Sequence, residues 1–266
     1  MNVSILGCGW LGLPLADRLI RAGHAVRGST TRNDRLGELT SHGIEAFQLD
    51  LDAATPDELA AFAGRGALVV TVPPGGVADY AAAMHRVGEA ARSAGVGRVV
   101  FTSSTSVYPN HARAVTEADA GPTDAHPLRR NGPTLWAAEE ALRATIGDRL
   151  VVLRLAGLVG VDRQPARFLA GRRDVAAPLA PVNLVHRRDA VRAVEHALDE
   201  GLAPGAYSVA APAHPPREAY YTAETERLGL PPPHFADDRT GGKRVTADAF
   251  TAAAGWHATW RPGDPA

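Results

Sequence analysis

VSILGCGWLG, Val3 to Gly12, is the stretch on which the reading of this chain turns. A short apolar strand, Val3 to Leu6, runs directly into Gly7, Gly9 and Gly12 at GxGxxG spacing, with Trp10 and Leu11 inside the turn. Leu11, Leu15 and Leu19 then open a helix immediately behind it. Each glycine has a physical reason in such a turn. Gly7 allows the tight reversal, Gly9 lets the backbone approach a pyrophosphate, and Gly12 permits helix to pack closely on strand. The free amides and positive dipole end of the helix hold phosphate oxygens. Pro14 is tolerated because amides of the first turn have no helical acceptor. The expected ligand is a dinucleotide, held by Gly7, Gly9, Trp10, Leu11 and Gly12.

The end of the second strand bears on which dinucleotide. A site selective for NAD places an acid about 20 residues further on, against the ribose 2′-hydroxyl. Here the strand ends Gly28, Ser29, Thr30, Thr31, Arg32, with no carboxylate before Asp34. Hydroxyls of Ser29 and Thr30 with the guanidinium of Arg32 suit a 2′-phosphate, so NADP is the expected cofactor and NAD the alternative. Arg27 and Arg32 as plain solvated charges are the competing reading.

Further outward, valine- and leucine-rich runs recur at Val3 to Leu6, His24 to Gly28, Ile44 to Leu49, Ala67 to Val72, Arg98 to Phe101 and Leu150 to Leu155. They read as buried parallel strands. Stretches at helical spacing lie between them, and Val191, Val194 and Leu198 mark another. Strands alternating with helices predict an α/β fold, a Rossmann-type doubly wound parallel sheet. After Leu155 the alternation weakens. Gly160 to Pro181 and Ala203 to Pro216 read as loops, so the expectation is a single domain over 1–266 with a small carboxy-terminal lobe formed mainly by 157–182 and 203–266.

Composition narrows the function classes. The 266 residues carry 28 basic and 29 acidic side chains, for a net charge of −1, which argues against nucleic acid or an anionic membrane as partner. No apolar run approaches the ~18 residues of a spanning helix, and the amino terminus lacks the features of a signal peptide. The one cysteine, Cys8, offers neither an intrachain disulfide nor a sequence-spaced metal site. A cytoplasmic protein with no metal and a small-molecule substrate is expected. The oligomeric state is left open.

RVVFTSSTSVYP, Arg98 to Pro109, resembles the fifth strand of extended short-chain dehydrogenases/reductases, where a hydroxyl three residues before Val-Tyr-Gly assists catalysis. LRLAGLVG from Leu153 to Gly160 and NLVHRRDAV from Asn183 to Val191 are similar to later motifs of the same superfamily. Together with ILGCGWLGLPLA they resemble its atypical, YeeZ-like branch, often labelled sugar-nucleotide epimerase or NAD(P)-dependent oxidoreductase. The resemblance implies Ser104 as catalytic hydroxyl and Asp50, in FQLDLD, near the adenine amino group, with an ordinary turn as the alternative for Asp50. Pro73 and Pro74, in VTVPPGG, fix a loop that would line the nicotinamide side, with shaping alone as the other reading, and Val72, Pro73 and Ser103 are expected cofactor contacts.

One departure limits what the resemblance implies. The superfamily's Tyr-x-x-x-Lys pair lowers the pKa of a phenol that exchanges a proton with substrate. Residues four after Tyr80, Tyr108, Tyr207, Tyr220 and Tyr221 are Met84, Ala112, Ala211, Glu224 and Thr225, so no such pair exists. Lys243, the only lysine, lies too late in the chain to replace it and is expected to matter little. Tyr108 is the substitute proton donor to consider, or else its ring packs beside the cofactor. His186 caps or packs its helix, or acts in catalysis. His126, Arg129 and Arg130 either hold an anionic substrate group or lie exposed.

Two functions follow. One is an NADP-dependent oxidoreductase or epimerase-like enzyme acting on a small polar, nucleotide-sugar-like substrate, with Ser104 and Tyr108 catalytic. The other is a noncatalytic NADP-binding redox sensor or partner-binding module.

Overall fold

The computed structural model describes residues 1–110, 112–123, 127, 128 and 130–265; His126 and Arg129 lie outside the described residues. The strands are β1 (Asn2–Leu6), β2 (Ala25–Thr30), β3 (Glu45–Gln48), β4 (Ala67–Val70), β5 (Arg98–Ser104), β6 (Ala114–Val115), β7 (Leu150–Leu155), β8 (Gly157–Val159), β9 (Leu184–His186), β10 (Gly205–Val209) and β11 (Arg244–Val245). The helices are α1 (Gly12–Arg21), α2 (Leu36–Ser41), α3 (Pro56–Ala63), α4 (Tyr80–Ser93), α5 (Gly132–Ile146), α6 (Arg187–Ala197), α7 (Arg217–Arg227) and α8 (Asp248–Ala254).

Seven strands form the main sheet in the order β3-β2-β1-β4-β5-β7-β10, with parallel pairing from β3 through β5. This is the doubly wound arrangement. The chain winds outward from β1 in one direction to β3, then crosses back to β4, leaving a switch point at the carboxyl ends of β1 and β4 where ligands bind in such sheets. The registers Ile5↔Gly28 and Leu6↔Val70 bring the glycine turn beside the ends of both neighbours.

Six of these strands coincide with the valine-rich runs. The seventh, β10, falls in the Ala203 to Pro216 stretch expected to be loop. Proline flanks it at Pro204 and Pro212, but Ala206 to Val209 is free of proline, and burial of Ser208 and Val209 lets five residues complete the sheet.

The chain divides into two compact units. The first comprises 1–103, 131–153 and 191–207. Its strands bury because their residues are apolar on both faces: Ile5, Val69, Val70, Val99, Val100 and Phe101 are all fully enclosed. Thr55 and Glu58 cap α3 reciprocally, and Asp79 caps α4. Helices α4 and α5 pack so closely that a Cβ on Gly88 would fall 1.9 Å from Thr145 Oγ1.

The second unit comprises 104–130, 154–190 and 208–266. It contains two small parallel sheets, β8 with β9 and β6 with β11. Val159, Val182, Leu184, Ala211, Tyr220 and Trp260 form an apolar cluster within it. The late chain is fastened by the buried carboxylate of Asp189, which accepts from the amides of Thr259 (3.0 Å) and Trp260 (2.9 Å) and the Thr259 hydroxyl (2.7 Å). Among the described residues no helix is long and apolar enough to cross a membrane.

Candidate functional site

The glycine turn is shaped by what its neighbours leave no room for. Gly7 sits at φ +98°, a conformation that side chains disfavour, and a Cβ there would lie 2.8 Å from Val72 Cγ2. A Cβ on Gly12 would fall 2.3 Å from the Gly7 carbonyl oxygen. At Gly9 a Cβ would meet nothing within 4 Å among the described residues. Gly7 and Gly12 are therefore demanded by the fold, whereas Gly9 faces open space at the mouth of the turn. Helix α1 begins there with Leu11 in the capping position and no side-chain cap on its first amides. Trp10 is half-buried in the turn itself. An uncapped helix start behind a glycine that opens outward is the donor set a pyrophosphate requires, so these residues fit a dinucleotide.

Thr71, which sequence patterning does not single out, locks the turn to β4 by donating to the carbonyls of Gly7 (2.7 Å) and Leu6 (3.2 Å). The signal for it is a hydroxyl at the carboxyl end of an otherwise apolar strand. Cys8 is buried on the other side, against Gly28, where a Cβ would lie 2.5 Å from the thiol sulfur. Burial pushes that thiol up to about 12, so it carries no thiolate.

At the end of β2 the expected phosphate donors separate into two kinds. Ser29 is buried, and its Oγ accepts the Gly7 amide at 2.9 Å while its carbonyl accepts the Cys8 amide at 2.7 Å. Thr30 Oγ1 accepts the Arg32 amide. Both hydroxyls are thus engaged in holding backbone. Arg32 is exposed and pairs with Asp34, both side chains at 65% exposure, and each charge favours the other's ionised form. Arg35, which strand-end spacing does not mark, donates to the Cys8 carbonyl at 3.3 Å and to Glu38. It is the guanidinium that the first turn beyond β2 carries back to the glycine turn.

Asp50 follows Leu49, whose amide donates to the Thr30 carbonyl, and its carboxylate accepts the Asp52 amide at 3.0 Å in a local turn. Val72 is half-buried, and its carbonyl accepts the Tyr80 hydroxyl at 2.6 Å; Pro73 is exposed next to it. Ser103 stands near the carboxyl end of β5. Its hydroxyl donates to the fully buried carboxylate of Glu139 on α5 at 2.6 Å, so it ties β5 to that helix. Leu135, Ala138 and Leu142 at helical spacing already place Glu139 on the buried face, a signal present in the sequence.

In the second unit, Ser104 caps a short turn, Thr105 to Val107, by accepting the Ser106 amide at 3.1 Å. Tyr108 is buried, with its phenol oxygen 2.6 Å from Ser208 Oγ and 3.3 Å from Arg154 Nη1. Arg154 also lies over the ring and donates to the Glu117 carbonyl. Burial raises the Tyr108 pKa, and Arg154 opposes this only in part. The phenol is therefore a buried group with hydrogen-bond partners on its oxygen. The unexpected neighbour is Lys243, whose ammonium donates to the carbonyls of Thr105 (2.7 Å) and Tyr108 (2.5 Å). His186 takes the capping role, its Nδ1 accepting the Arg188 amide, and its pKa is lowered chiefly by burial.

Comparison with known proteins agrees with this geometry. Residues 7–175 match the family described as NAD(P)H-binding. The protein YeeZ of Escherichia coli K12 is 36% identical over 256 residues, covering 93% of this chain and 91% of YeeZ. A conserved protein of unknown function from Silicibacter pomeroyi DSS superposes with a TM-score of 0.74 at 24% identity, over 98% of this chain and 94% of its own. MoeE5 in complex with UDP-glucose and NAD superposes with a TM-score of 0.78 at 20% identity, over 98% and 94%.

Proposed function

This chain belongs to the NAD(P)H-binding family, and we propose that it binds NADP in preference to NAD and acts as an oxidoreductase or epimerase-like enzyme on a small polar, nucleotide-sugar-like substrate. The observation that carries the reading is the glycine turn, closed at Gly7 and Gly12 and open at Gly9, beside a strand end with no acid before Asp34. When bound, the nicotinamide supplies hydride transfer.

This chain's residues supply the rest. The first amides of α1 and the backbone at Gly9 hold the pyrophosphate. Arg32 exchanges Asp34 for the 2′-phosphate, and Arg35 adds a second cation near the turn; an exposed ion pair costs little to open. Asp50 addresses the adenine end, while Val72 and Pro73 border the nicotinamide. Ser104 offers its hydroxyl to the substrate, and Tyr108 keeps the turn behind it in place. The substrate side belongs to 157–182 and 203–266, apart from β10. That MoeE5 is seen with UDP-glucose supports the substrate class, and the single buried thiol supports a cytoplasmic setting.

A noncatalytic NADP sensor is the second reading, favoured by the buried, bonded phenol of Tyr108. Calorimetric titration with NADPH and NADH tests the cofactor assignment. NADPH should bind about tenfold tighter, and Arg32→Ala should erase that margin without weakening NADH. Equal affinities in the wild type would remove the phosphate clamp. Incubation with NADP and a panel of UDP-sugars, read by NADPH absorbance for net oxidation and by chromatography of the sugars for epimerisation, which leaves no net NADPH, then separates enzyme from sensor, because tight binding with neither change across the panel selects the sensor.

A further inference from the structure

Of the 28 cationic side chains Lys243 is the only lysine, and the structure gives it a place that no spacing in the sequence announces. Its backbone is pinned from both sides. The Asn183 side chain donates to the Lys243 carbonyl at 2.9 Å and accepts the Val245 amide at 2.8 Å, and β11, which starts at the next residue, pairs with β6. From that anchor the side chain reaches the turn after β5. There the ammonium meets two converging carbonyls, those of Thr105 and Tyr108, and lies 5.9 Å from the Tyr108 ring centroid.

The first of these carbonyls closes the turn on which Ser104 depends, and the second leaves from its far end. Thr105 O also accepts the Tyr108 amide at 3.2 Å, and the turn so formed directs the Ser106 amide at Ser104 Oγ. A compact ammonium with three tetrahedral donors can serve two carbonyls that approach from different directions, whereas a planar guanidinium presents its donors in a fixed fork. In a chain otherwise furnished with arginine, the exception falls where that geometry is needed. The turn is also not built merely to satisfy itself: Ser106 Oγ is buried and finds no partner among the described residues.

We propose that Lys243 is a positioning residue for the Ser104 hydroxyl, its ammonium holding the 105–108 turn in the shape that orients Ser104. The inference rests on the reading of Ser104 as the substrate-facing hydroxyl, and it assigns Lys243 no contact with substrate or cofactor.

The test is Lys243→Met, which keeps the length of the stem and removes the donors, with Lys243→Gln as a second variant should the first fail to fold. Amide hydrogen exchange should accelerate about tenfold at Ser106 and Tyr108 and stay unchanged in β1, β4 and β11. NADPH affinity should be unaltered. With any UDP-sugar that the wild type turns over, kcat should fall about tenfold while KM holds within about twofold, since the loss is of transition-state alignment and not of binding. Exchange that is unchanged at the turn, or accelerated evenly across β6, β11 and the turn, would overturn the proposal. The exchange measurement decides it even when the panel yields no substrate, whereas failure of NADPH to bind would sink the cofactor reading and leave this one standing.

Discussion

Two turns at strand ends, 7–12 after β1 and 104–108 after β5, are held in opposite ways. The first is held by what is missing: no side chain at Gly7 or Gly12, and partners drawn from adjacent strand ends at Ser29, Thr71 and Val72. The second is held by what has been brought in, with Lys243 arriving from 138 residues beyond Thr105 and Ser208 from 100 beyond Tyr108. A turn specified by absent atoms writes its requirement into its own sequence. A turn specified by long-range donors does not.

The contrast is broken most severely at Gly12. Gly12→Val would force a branched side chain into the Gly7 carbonyl, a backbone atom that cannot swing away. We expect a loss of about 3 kcal/mol or more in urea denaturation, together with loss of cofactor binding. Gly9→Val should separate the two effects. Its Cβ meets nothing among the described residues, so stability should hold within about 0.5 kcal/mol, while NADPH affinity falls about a hundredfold in a calorimetric titration. Normal NADPH binding by a folded Gly9→Val protein would place the cofactor elsewhere.

At the second turn, Tyr108→Phe should act on stability alone. It leaves Ser208 and Arg154 each one hydrogen bond short in a buried setting, costing about 1–2 kcal/mol, with NADPH affinity unchanged. A Tyr108→Phe enzyme that folds normally yet loses all turnover on a UDP-sugar would instead restore the phenol as the proton donor.

A pH dependence tests the same turn from another side. Burial lowers Lys243 from 10.5 to about 8. The unfolded chain then binds this proton more tightly than the folded one. The group's contribution to stability is therefore full above the unfolded value and is lost as pH falls through about 8. Tyr108 faces it and Arg244 is next in the chain, while Arg154 lies over the Tyr108 ring and Glu117 accepts the Ser208 amide. Subtracting the Lys243→Met curve cancels their shared titration. The wild type should gain on the variant as pH rises from 8 to 10, and parallel curves would show that the ammonium is not desolvated.

The same contrast explains which parts of the molecule are legible in its sequence. The β1–α1 turn and six strands of the sheet are legible because each depends on apolar runs and on glycine at fixed offsets. Strand β10 is not, because five residues between prolines carry too little periodicity to outweigh the breakers around them. Ser29 and Ser103 read as cofactor donors from their positions at strand ends. Strand position alone does not tell which way a hydroxyl points, and these two hydroxyls bond the Gly7 amide and Glu139. The place of Lys243 is hidden by its distance along the chain, since a contact spanning 138 residues leaves no local pattern.

Cys8 turns the first of these turns into its own clock. The chain's one thiol is buried between the glycine turn and Gly28, and burial holds it up at about 12. An alkylating reagent can trap it only during those moments when the glycine turn lifts from β2. The rate of trapping therefore counts openings of the turn without any introduced label. A ligand that bridges Gly9 and the start of α1 should slow that count in proportion to its occupancy, giving a covalent readout of binding that needs neither turnover nor a chromophore.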